Sequence, residues 1–144
     1  MSNLALNDIF ILELEQESHP LEINISEKRN LVIIEDDVIL RESLKEMGKN
    51  YFDKILTFSS VEHASLYLNN VDIKIDTILI DYFLPGEKGT KIVDLIKKSN
   101  SQCKIYLMSG DLTKIDIEDK QLKDLEEYIQ KPLSFQQINK IYNN

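Results

Sequence analysis

Residues 75–86, with the sequence IDTILIDYFLPG, decide the fold of this chain. The apolar run from Ile75 to Ile80 ends at Asp81, and Pro85 and Gly86 break the chain shortly afterwards. A short apolar segment of this kind is typical of a strand that is buried on both faces of a sheet. We therefore predict a strand over Ile75–Ile80, with the carboxylate of Asp81 at its carboxyl end.

Strand patterns and helix patterns alternate on either side of this stretch. Short runs of mainly apolar residues predict four further strands, at 31–34, 54–58, 104–108 and 127–130. Apolar residues at helical spacing predict one helix after Asp37, one from Ser59 or Ser60 to Asn70, and three at 90–98, 113–125 and 134–142. The helix at 113–125 has the weakest pattern, because Ile115 and Ile117 are β-branched.

This order of elements predicts the fold class. Strands that alternate with helices indicate a parallel sheet with helices on both faces. Since crossovers between parallel strands are right-handed, the doubly wound arrangement is the simplest solution. We predict an α/β protein with a doubly wound, five-stranded parallel sheet, which is the flavodoxin-like (βα)5 fold.

The composition excludes several classes of protein. The 144 residues carry a net charge of −8, and 42% of them are hydrophobic, enough for the core of one domain. No apolar stretch approaches the roughly 20 residues of a membrane helix, and the first residues lack the pattern of a signal peptide. A single cysteine, Cys103, excludes an internal disulfide and a cysteine-based zinc cluster. The negative charge disfavours direct nucleic-acid binding, so we expect a cytoplasmic protein without a membrane segment.

One domain boundary is visible in the pattern. Residues 1–29 are acidic and irregular, whereas regular alternation begins at Asn30. We divide the chain into an N-terminal extension of unknown structure at 1–29 and one domain at 30–144. The apolar segment at 8–15 fits an added strand or a short helix that covers the domain, forms a dimer or binds a partner, and a disordered tail is the alternative.

Polar side chains follow four of the five predicted strands. The carboxyl ends of parallel strands meet at one edge of the sheet, where such folds bind their ligands. Each residue alone has an ordinary explanation as a helix cap, a turn or a loop residue, but their conjunction at one edge predicts a functional site. In chain order these residues are Glu35, Asp36, Asp37, Asp81, Ser109 and Lys131.

The residue types at this edge suit phosphoryl transfer. Clustered carboxylates repel one another, and a hard divalent cation such as Mg2+ relieves the repulsion through oxygen ligands. Asp36, with Glu35 nearby, is the candidate metal ligand, and the carboxylate of Asp81 is the candidate nucleophile toward phosphorus. The positively charged ammonium of Lys131 would lie next to the phosphoryl oxygens, and Ser109 would donate a hydrogen bond to them.

Four motifs in this order resemble the receiver domain of bacterial response regulators. They are Val32-Ile-Ile-Glu-Asp-Asp37, Ile78-Leu-Ile-Asp-Tyr-Phe-Leu-Pro-Gly86, Leu107-Met-Ser-Gly110 and Tyr128-Ile-Gln-Lys-Pro132, and the resemblance covers roughly residues 30–143. It implies the same fold that the pattern of elements predicts. Each motif is weak by itself, and the ordered set of four is specific.

The resemblance assigns a role to each site residue. It implies that Asp81 is the phosphoacceptor and Lys131 the lysine that contacts the phosphoryl group. It implies that Mg2+ is bound by Asp36 directly, by Glu35 through water, by Asp81, and by the backbone carbonyl of Phe83. It further implies a switch in which the Ser109 hydroxyl moves to the phosphoryl group and the ring of Tyr128 swings inward.

The resemblance also implies a function, with alternatives left open. The expected function is that of a stand-alone response regulator in a two-component phosphorelay, phosphorylated by a histidine kinase or a histidine phosphotransfer protein. It would be a signalling domain rather than an enzyme. Only 12 residues follow Pro132, so output is expected through contact with an unknown protein or through a homodimer. The alternatives are a relay intermediate that passes phosphate to a histidine protein, and a scaffold that is never phosphorylated.

Two departures from the family pattern concern the output surface and the acceptor. The segment before Tyr128 reads Lys123-Asp-Leu-Glu-Glu127, where the family usually has a small turn, and a weak fourth helix precedes it. The output surface is therefore expected to be atypical. Phe83 places a bulky side chain beside the acceptor, which is expected to slow phosphoryl exchange or hydrolysis. Aspartyl-phosphate phosphatases carry a second aspartate at the same position, which argues against an enzyme of that kind.

Overall fold

A computed structural model describes residues 29–116 and 123–144 of the chain. In chain order its strands are β1 Asn30–Ile34, β2 Lys54–Phe58, β3 Thr77–Asp81, β4 Phe83–Leu84, β5 Glu87–Lys88, β6 Lys104–Ser109 and β7 Glu127–Gln130. Five of them form one sheet in the order β2-β1-β3-β6-β7, and every neighbouring pair is parallel. Strands β4 and β5 pair as a separate antiparallel hairpin. The predicted doubly wound, flavodoxin-like sheet is confirmed.

The described α-helices are α1 Val38–Gly48, α2 Val61–Asn70, α3 Val93–Ser99 and α4 Phe135–Asn143. Side chains cap three of them: Asp37, Ser60 and Ser134 each accept a hydrogen bond from a backbone N–H of the first turn. At the start of α4, the side-chain oxygen of Gln137 accepts a hydrogen bond from the backbone amide of Ser134, which completes a capping box. These caps fix where the three helices begin.

Helices cover both faces of the sheet. On one face, strand residues such as Val32, Ile80 and Leu107 pack with residues of α2 and α3. On the other face, Leu79 and Met108 belong to the cluster that contains residues of α1 and α4. Since successive residues of β1, β3 and β6 are buried alternately in the two clusters, these strands read as continuous apolar runs in the sequence.

The third strand and the helix after it differ from the prediction at their starts. β3 begins at Thr77 rather than Ile75, and the amide of Ile75 donates to the side-chain oxygen Oδ1 of Asn100 at 2.8 Å instead of to a neighbouring strand. The predicted helix at 90–98 divides into a 3-10 helix, Gly89–Ile92, followed by α3.

The helix predicted at 113–125 is wrong for its first residues. A single 3-10 turn, Leu112–Lys114, ends at Ile115, whose backbone is extended. The side chain of Ile115 is buried in the core, so it acts as a core residue of the loop rather than as part of a helical face. The next six residues, 117–122, lie outside the described part of the chain, as does most of the 1–29 extension. The division at residue 29 remains a prediction.

A tight hairpin directly follows the end of β3. The turn Leu84-Pro85-Gly86-Glu87 joins β4 to β5, and Gly86 has the positive φ of 80° that a glycine adopts without strain. The amide of Gly89 then donates to the carbonyl of Tyr82 at 2.9 Å, which closes the hairpin over the end of β3.

Among the described residues, the structure contains no helix that is both long enough and apolar enough to span a membrane.

Candidate functional site

The sheet topology brings the predicted site residues to one edge. Glu35 directly follows β1, Asp81 ends β3, Ser109 ends β6, and Lys131 directly follows β7. The backbone fixes two of these positions, because the amide of Glu35 donates to Phe58 O at 3.0 Å and the amide of Lys131 donates to Ser109 O at 2.7 Å. Glu35, Asp81 and Ser109 are buried.

Lys131 joins the two buried carboxylates. Its Nζ lies 2.7 Å from Glu35 Oε2 and 2.9 Å from Asp81 Oδ2. The Lys131 side chain is 19% exposed, whereas those of Glu35 and Asp81 are 1% and 7% exposed. Lys131 thus reaches the site from its rim and places one positive charge between two negative charges.

Three carboxylates at this edge form a donor set that suits a hard cation. One carboxylate oxygen each from Glu35, Asp36 and Asp81 lie within 4.8 Å of one another. Asp36 is exposed, so the group is open to solvent on its side. Glu35 Oε2 is buried and lacks a hydrogen bond of good geometry among the described residues, although it lies in ion-pair distance of Lys131. A negatively charged set made only of oxygen donors fits Mg2+ chemically.

Burial and charge shift the pKa values of the paired groups. Burial raises the pKa of the Glu35 carboxyl above its ordinary value, and the interaction with the Lys131 ammonium opposes this without reversing it. For Lys131, burial alone would lower the pKa, but the interactions with Glu35 and Asp81 outweigh it and raise the pKa. Lys131 therefore stays charged at neutral pH, while a negative charge on Glu35 carries a free-energy cost.

A Glu35→Gln variant is expected to be more stable than the wild type at neutral pH in the absence of Mg2+. The folded pKa of Glu35 is raised above 4.5, so the folded wild type is stabilised by protonation and loses stability as the pH rises from 4.5 through the raised pKa. Glutamine resembles the protonated acid and lacks this loss. Urea unfolding at pH 4.5 and pH 7.5 should show the difference between variant and wild type growing with pH.

The matched control for this prediction is Glu46→Gln, because Glu46 is 74% exposed and pairs with Lys49 on the surface of α1. Its difference from the wild type should stay small at both pH values. A Glu35→Gln variant that is less stable than the wild type at pH 7.5 would contradict the prediction.

No hydrogen bond joins the side chain of Ser109 or Tyr128 to Asp81 among those found between the described residues. The Ser109 hydroxyl donates to the carbonyl of Asp111 at 3.0 Å and accepts from its amide at 3.1 Å, so it is engaged with the loop after β6. Tyr128 is half-buried, pairs with Leu107 in the sheet and packs against the core. Their switch roles remain predictions.

The two residues after Asp81 line the site in different ways. The amide of Phe83 donates to Asp81 Oδ1 at 3.1 Å, and Phe83 is 46% exposed. Tyr82 is fully buried, and its hydroxyl accepts from the amide of Asp116 at 3.1 Å. No sequence pattern indicates this hydrogen bond, because a tyrosine in an apolar run is typical of a core residue.

Known proteins resemble the chain in sequence and in structure. It matches the response regulator receiver domain over residues 31–143. It is 30% identical to a cyclic di-GMP phosphodiesterase of Thermotoga maritima over 80 residues, 56% of this chain and 21% of that protein. It is 26% identical to the transcriptional regulatory protein MalR of Bacillus subtilis over 114 residues, 76% of this chain and 46% of that protein. The chain thus spans less than half the length of both relatives.

A solved structure shows the same fold. The response regulator protein TrrA of Thermotoga maritima in complex with Mg2+-BeF superposes with a TM-score of 0.64, at 22% identity, covering 78% of this chain and 94% of that one. The order of the parallel strands and the polar residues at the carboxyl edge of the sheet agree with the family match, which covers most of the chain. The chain belongs to the response regulator receiver domain family of two-component systems.

Proposed function

We propose that the chain is a phosphoacceptor response regulator in which Asp81 accepts a phosphoryl group from a histidine kinase or a histidine phosphotransfer protein. The observation that carries this proposal is the grouping at one sheet edge of a buried aspartate, two further acidic residues and a lysine 2.9 Å from the aspartate. It would act as a cytoplasmic signalling phosphoprotein, not as an enzyme on other substrates.

The chemistry follows from the state of the Asp81 carboxylate. An oxygen of Asp81 attacks phosphorus, a bond from that oxygen to phosphorus forms, and the bond from phosphorus to the donor's nitrogen or oxygen breaks with its electron pair leaving on the donor. No general base is required, because a carboxylate carries no proton to remove. Lys131 remains charged and is close enough to Asp81 to follow the phosphoryl oxygens.

Four groups of this chain would hold Mg2+ at the site. They are the carboxylates of Asp36 and Asp81, the carboxylate of Glu35 through water, and the backbone carbonyl of Phe83. When bound, the ion supplies positive charge that neutralises the phosphoryl oxygens. The net negative charge of the three carboxylates beside one lysine explains why such an ion is needed before a dianionic group can approach.

Phosphorylation is proposed to act through Ser109 and Tyr128. A phosphoryl group on Asp81 would draw the Ser109 hydroxyl toward it, and the half-buried ring of Tyr128 on the same sheet face would follow. The changed surface would bind an output protein, or a second copy of this chain.

Intact mass after incubation with acetyl phosphate and Mg2+ tests the proposal on the wild type and on Asp81→Asn. The wild type is expected to gain one phosphoryl group that hydroxylamine removes, because an acyl phosphate is labile to this nucleophile. The gain should disappear without Mg2+ and in the variant, since asparagine is not a nucleophile toward phosphorus.

Asp76→Asn is the matched control, because Asp76 lies at the opposite end of β3 and accepts from the amide of Asn30. It should gain the phosphoryl group as the wild type does. Absence of an adduct on the wild type under any phosphodonor, or an adduct that persists in Asp81→Asn, would refute the assignment of Asp81.

A Phe83→Asn variant is expected to lose its phosphoryl group several-fold faster than the wild type. Phe83 lies two residues after Asp81, its amide donates to Asp81 Oδ1, and its half-exposed phenyl ring packs edge-on against Tyr82 with ring centroids 4.6 Å apart. An apolar ring at this place excludes water from phosphorus, whereas a carboxamide can bind and orient a water molecule. The half-life of the phosphorylated species after donor removal measures the effect, and an unchanged half-life would contradict the shielding role.

A further inference from the structure

We propose that the side chain of Gln130 is a latch that holds the loop at 110–112 and thereby opposes movement of the Ser109 hydroxyl toward Asp81. This inference rests on the function proposed above, because it concerns the switch that phosphorylation of Asp81 would operate. Gln130 is a positioning residue in this scheme, since it contacts the loop and not the reacting atoms.

The hydroxyl of Ser109 is fully engaged in the described conformation. It donates to the carbonyl of Asp111 and accepts from the amide of the same residue. A serine hydroxyl has a single proton to donate. It can therefore donate to a phosphoryl oxygen on Asp81 only after it gives up its bond to Asp111. The free-energy cost of this change of hydrogen-bond acceptor depends on how firmly the backbone of Asp111 is held.

Gln130 bonds the loop on both sides of Asp111. It is the cross-strand partner of Ser109 in the pairing of β6 and β7, so the two side chains leave the sheet on the same face. Its side-chain amide nitrogen donates to the carbonyl of Gly110, and its side-chain oxygen accepts from the amide of Leu112 at 3.4 Å. One side chain of β7 thus spans the backbone that engages the Ser109 hydroxyl.

The other hydrogen bonds of Asp111 lie within the loop itself. Asp111 Oδ1 accepts from the amide of Thr113 at 3.0 Å and from the Thr113 hydroxyl at 2.6 Å. These bonds give the loop its shape but move with it, so they do not fix it to the sheet. The hydrogen bonds from Gln130 fix the loop to the sheet, because Gln130 belongs to β7. Removing the hydrogen bonds from Gln130 should free the loop from the sheet, while the hydrogen bonds between Asp111 and Thr113 remain.

A Gln130→Leu variant tests the latch, because leucine has similar size and neither a donor nor an acceptor. We expect its apparent Kd for beryllofluoride with Mg2+, a mimic of the phosphoryl group, to fall about threefold to tenfold below that of the wild type. Titration followed by the 15N amide signals of Gly110 and Leu112 measures this Kd. Damage to the fold would raise the Kd, so the direction of the change separates positioning from a structural role.

Two further variants sharpen the measurement. Gln130→Glu keeps an acceptor for the amide of Leu112 but loses the donor to Gly110, so its Kd should fall between those of Gln130→Leu and the wild type. Gln102→Leu is the matched control, because Gln102 is exposed and precedes β6 at the opposite end from the site. Its Kd should equal that of the wild type.

Amide hydrogen exchange of Leu112 gives a readout that needs no phosphoryl mimic. The amide should exchange faster in Gln130→Leu than in the wild type and at the wild-type rate in Gln102→Leu. If the wild type binds no beryllofluoride, the proposed function fails. The latch is then tested only by comparing the Leu112 amide exchange rates of Gln130→Leu and the wild type. Unchanged exchange in Gln130→Leu overturns the latch, as does an unchanged or raised Kd in a protein whose wild type binds beryllofluoride.

Discussion

A Lys131→Met variant is expected to accept a phosphoryl group from acetyl phosphate at least about a hundredfold more slowly than the wild type, because one preorganised charged donor at a reacting centre commonly contributes that much. Lys131 supplies the ammonium 2.9 Å from Asp81 Oδ2. Methionine keeps the apolar stem and removes the charge. The initial rate of phosphoryl incorporation, followed by intact mass at fixed Mg2+, gives the ratio.

The same variant should also be less stable at neutral pH. Removing one partner of a buried ion pair costs about 3–5 kcal/mol, and the partial exposure of Lys131 reduces this to about 2–3 kcal/mol in the free energy of unfolding. Because the loss comes from uncompensated carboxylates, it should shrink as the pH is lowered and Glu35 takes up a proton. Urea unfolding at two pH values measures both the loss and its pH dependence.

Lys49→Met is the control for Lys131→Met, since Lys49 pairs with Glu46 on the surface with side chains 57% and 74% exposed. It should leave the phosphorylation rate unchanged and alter stability by less than about 1 kcal/mol. A Lys131→Met variant phosphorylated at the wild-type rate would remove Lys131 from the proposed chemistry, whatever its stability.

A Gly89→Ala variant is expected to lose about 2–3 kcal/mol of stability, because overpacking a tight site usually costs about 1–3 kcal/mol and here the obstacle is backbone. A Cβ on Gly89 would clash with the backbone carbonyl of Asp81 and with Ile80 Cγ2. The hairpin would have to move away from the end of β3. Urea unfolding measures the loss, and the rate of phosphoryl incorporation should fall with it because Asp81 is displaced.

Gly110→Ala provides a comparison at the same edge of the sheet, because a Cβ on Gly110 would meet no atom within 4 Å. Its stability should stay within about 0.5 kcal/mol of the wild type. If Gly89→Ala were as stable as Gly110→Ala, the close approach of Gly89 to β3 would not be a constraint on this fold.

The sheet was predictable because two of its inner strands, β1 and β3, are continuous apolar runs in the sequence. Leu31–Ile34 and Ile78–Ile80 are apolar on both sides, which in a chain of this size indicates a parallel strand covered by helices. The region after β6 was less predictable, because the pattern around Ile115 fits a helix, while burial of that side chain against the core holds an extended backbone. Tertiary packing overrides a weak local preference at such a place.

The position of the site was also predictable, whereas its internal bonding was not. Residues that follow parallel strands must meet at one edge, so the sequence was enough to group Glu35, Asp81 and Lys131. Which atoms pair depends on side-chain rotamers and on burial. The bonds from Ser109 to Asp111 and from Gln130 to the loop join residues whose types are common in any turn, and no spacing rule marks them.

The place of β1 in the sheet has a consequence for how the chain folds. β1 lies between β2 and β3, and Leu31 pairs with Thr77, which is 46 residues further along the chain. Closing so long a loop costs entropy before any contact compensates for it, which slows the folding of parallel sheets. Until β3 is in place, Leu31–Ile34 has an unpaired edge of apolar residues. A newly synthesised chain therefore passes through a stage in which this strand, later an inner strand of the sheet, is exposed to aggregation and to binding by chaperones.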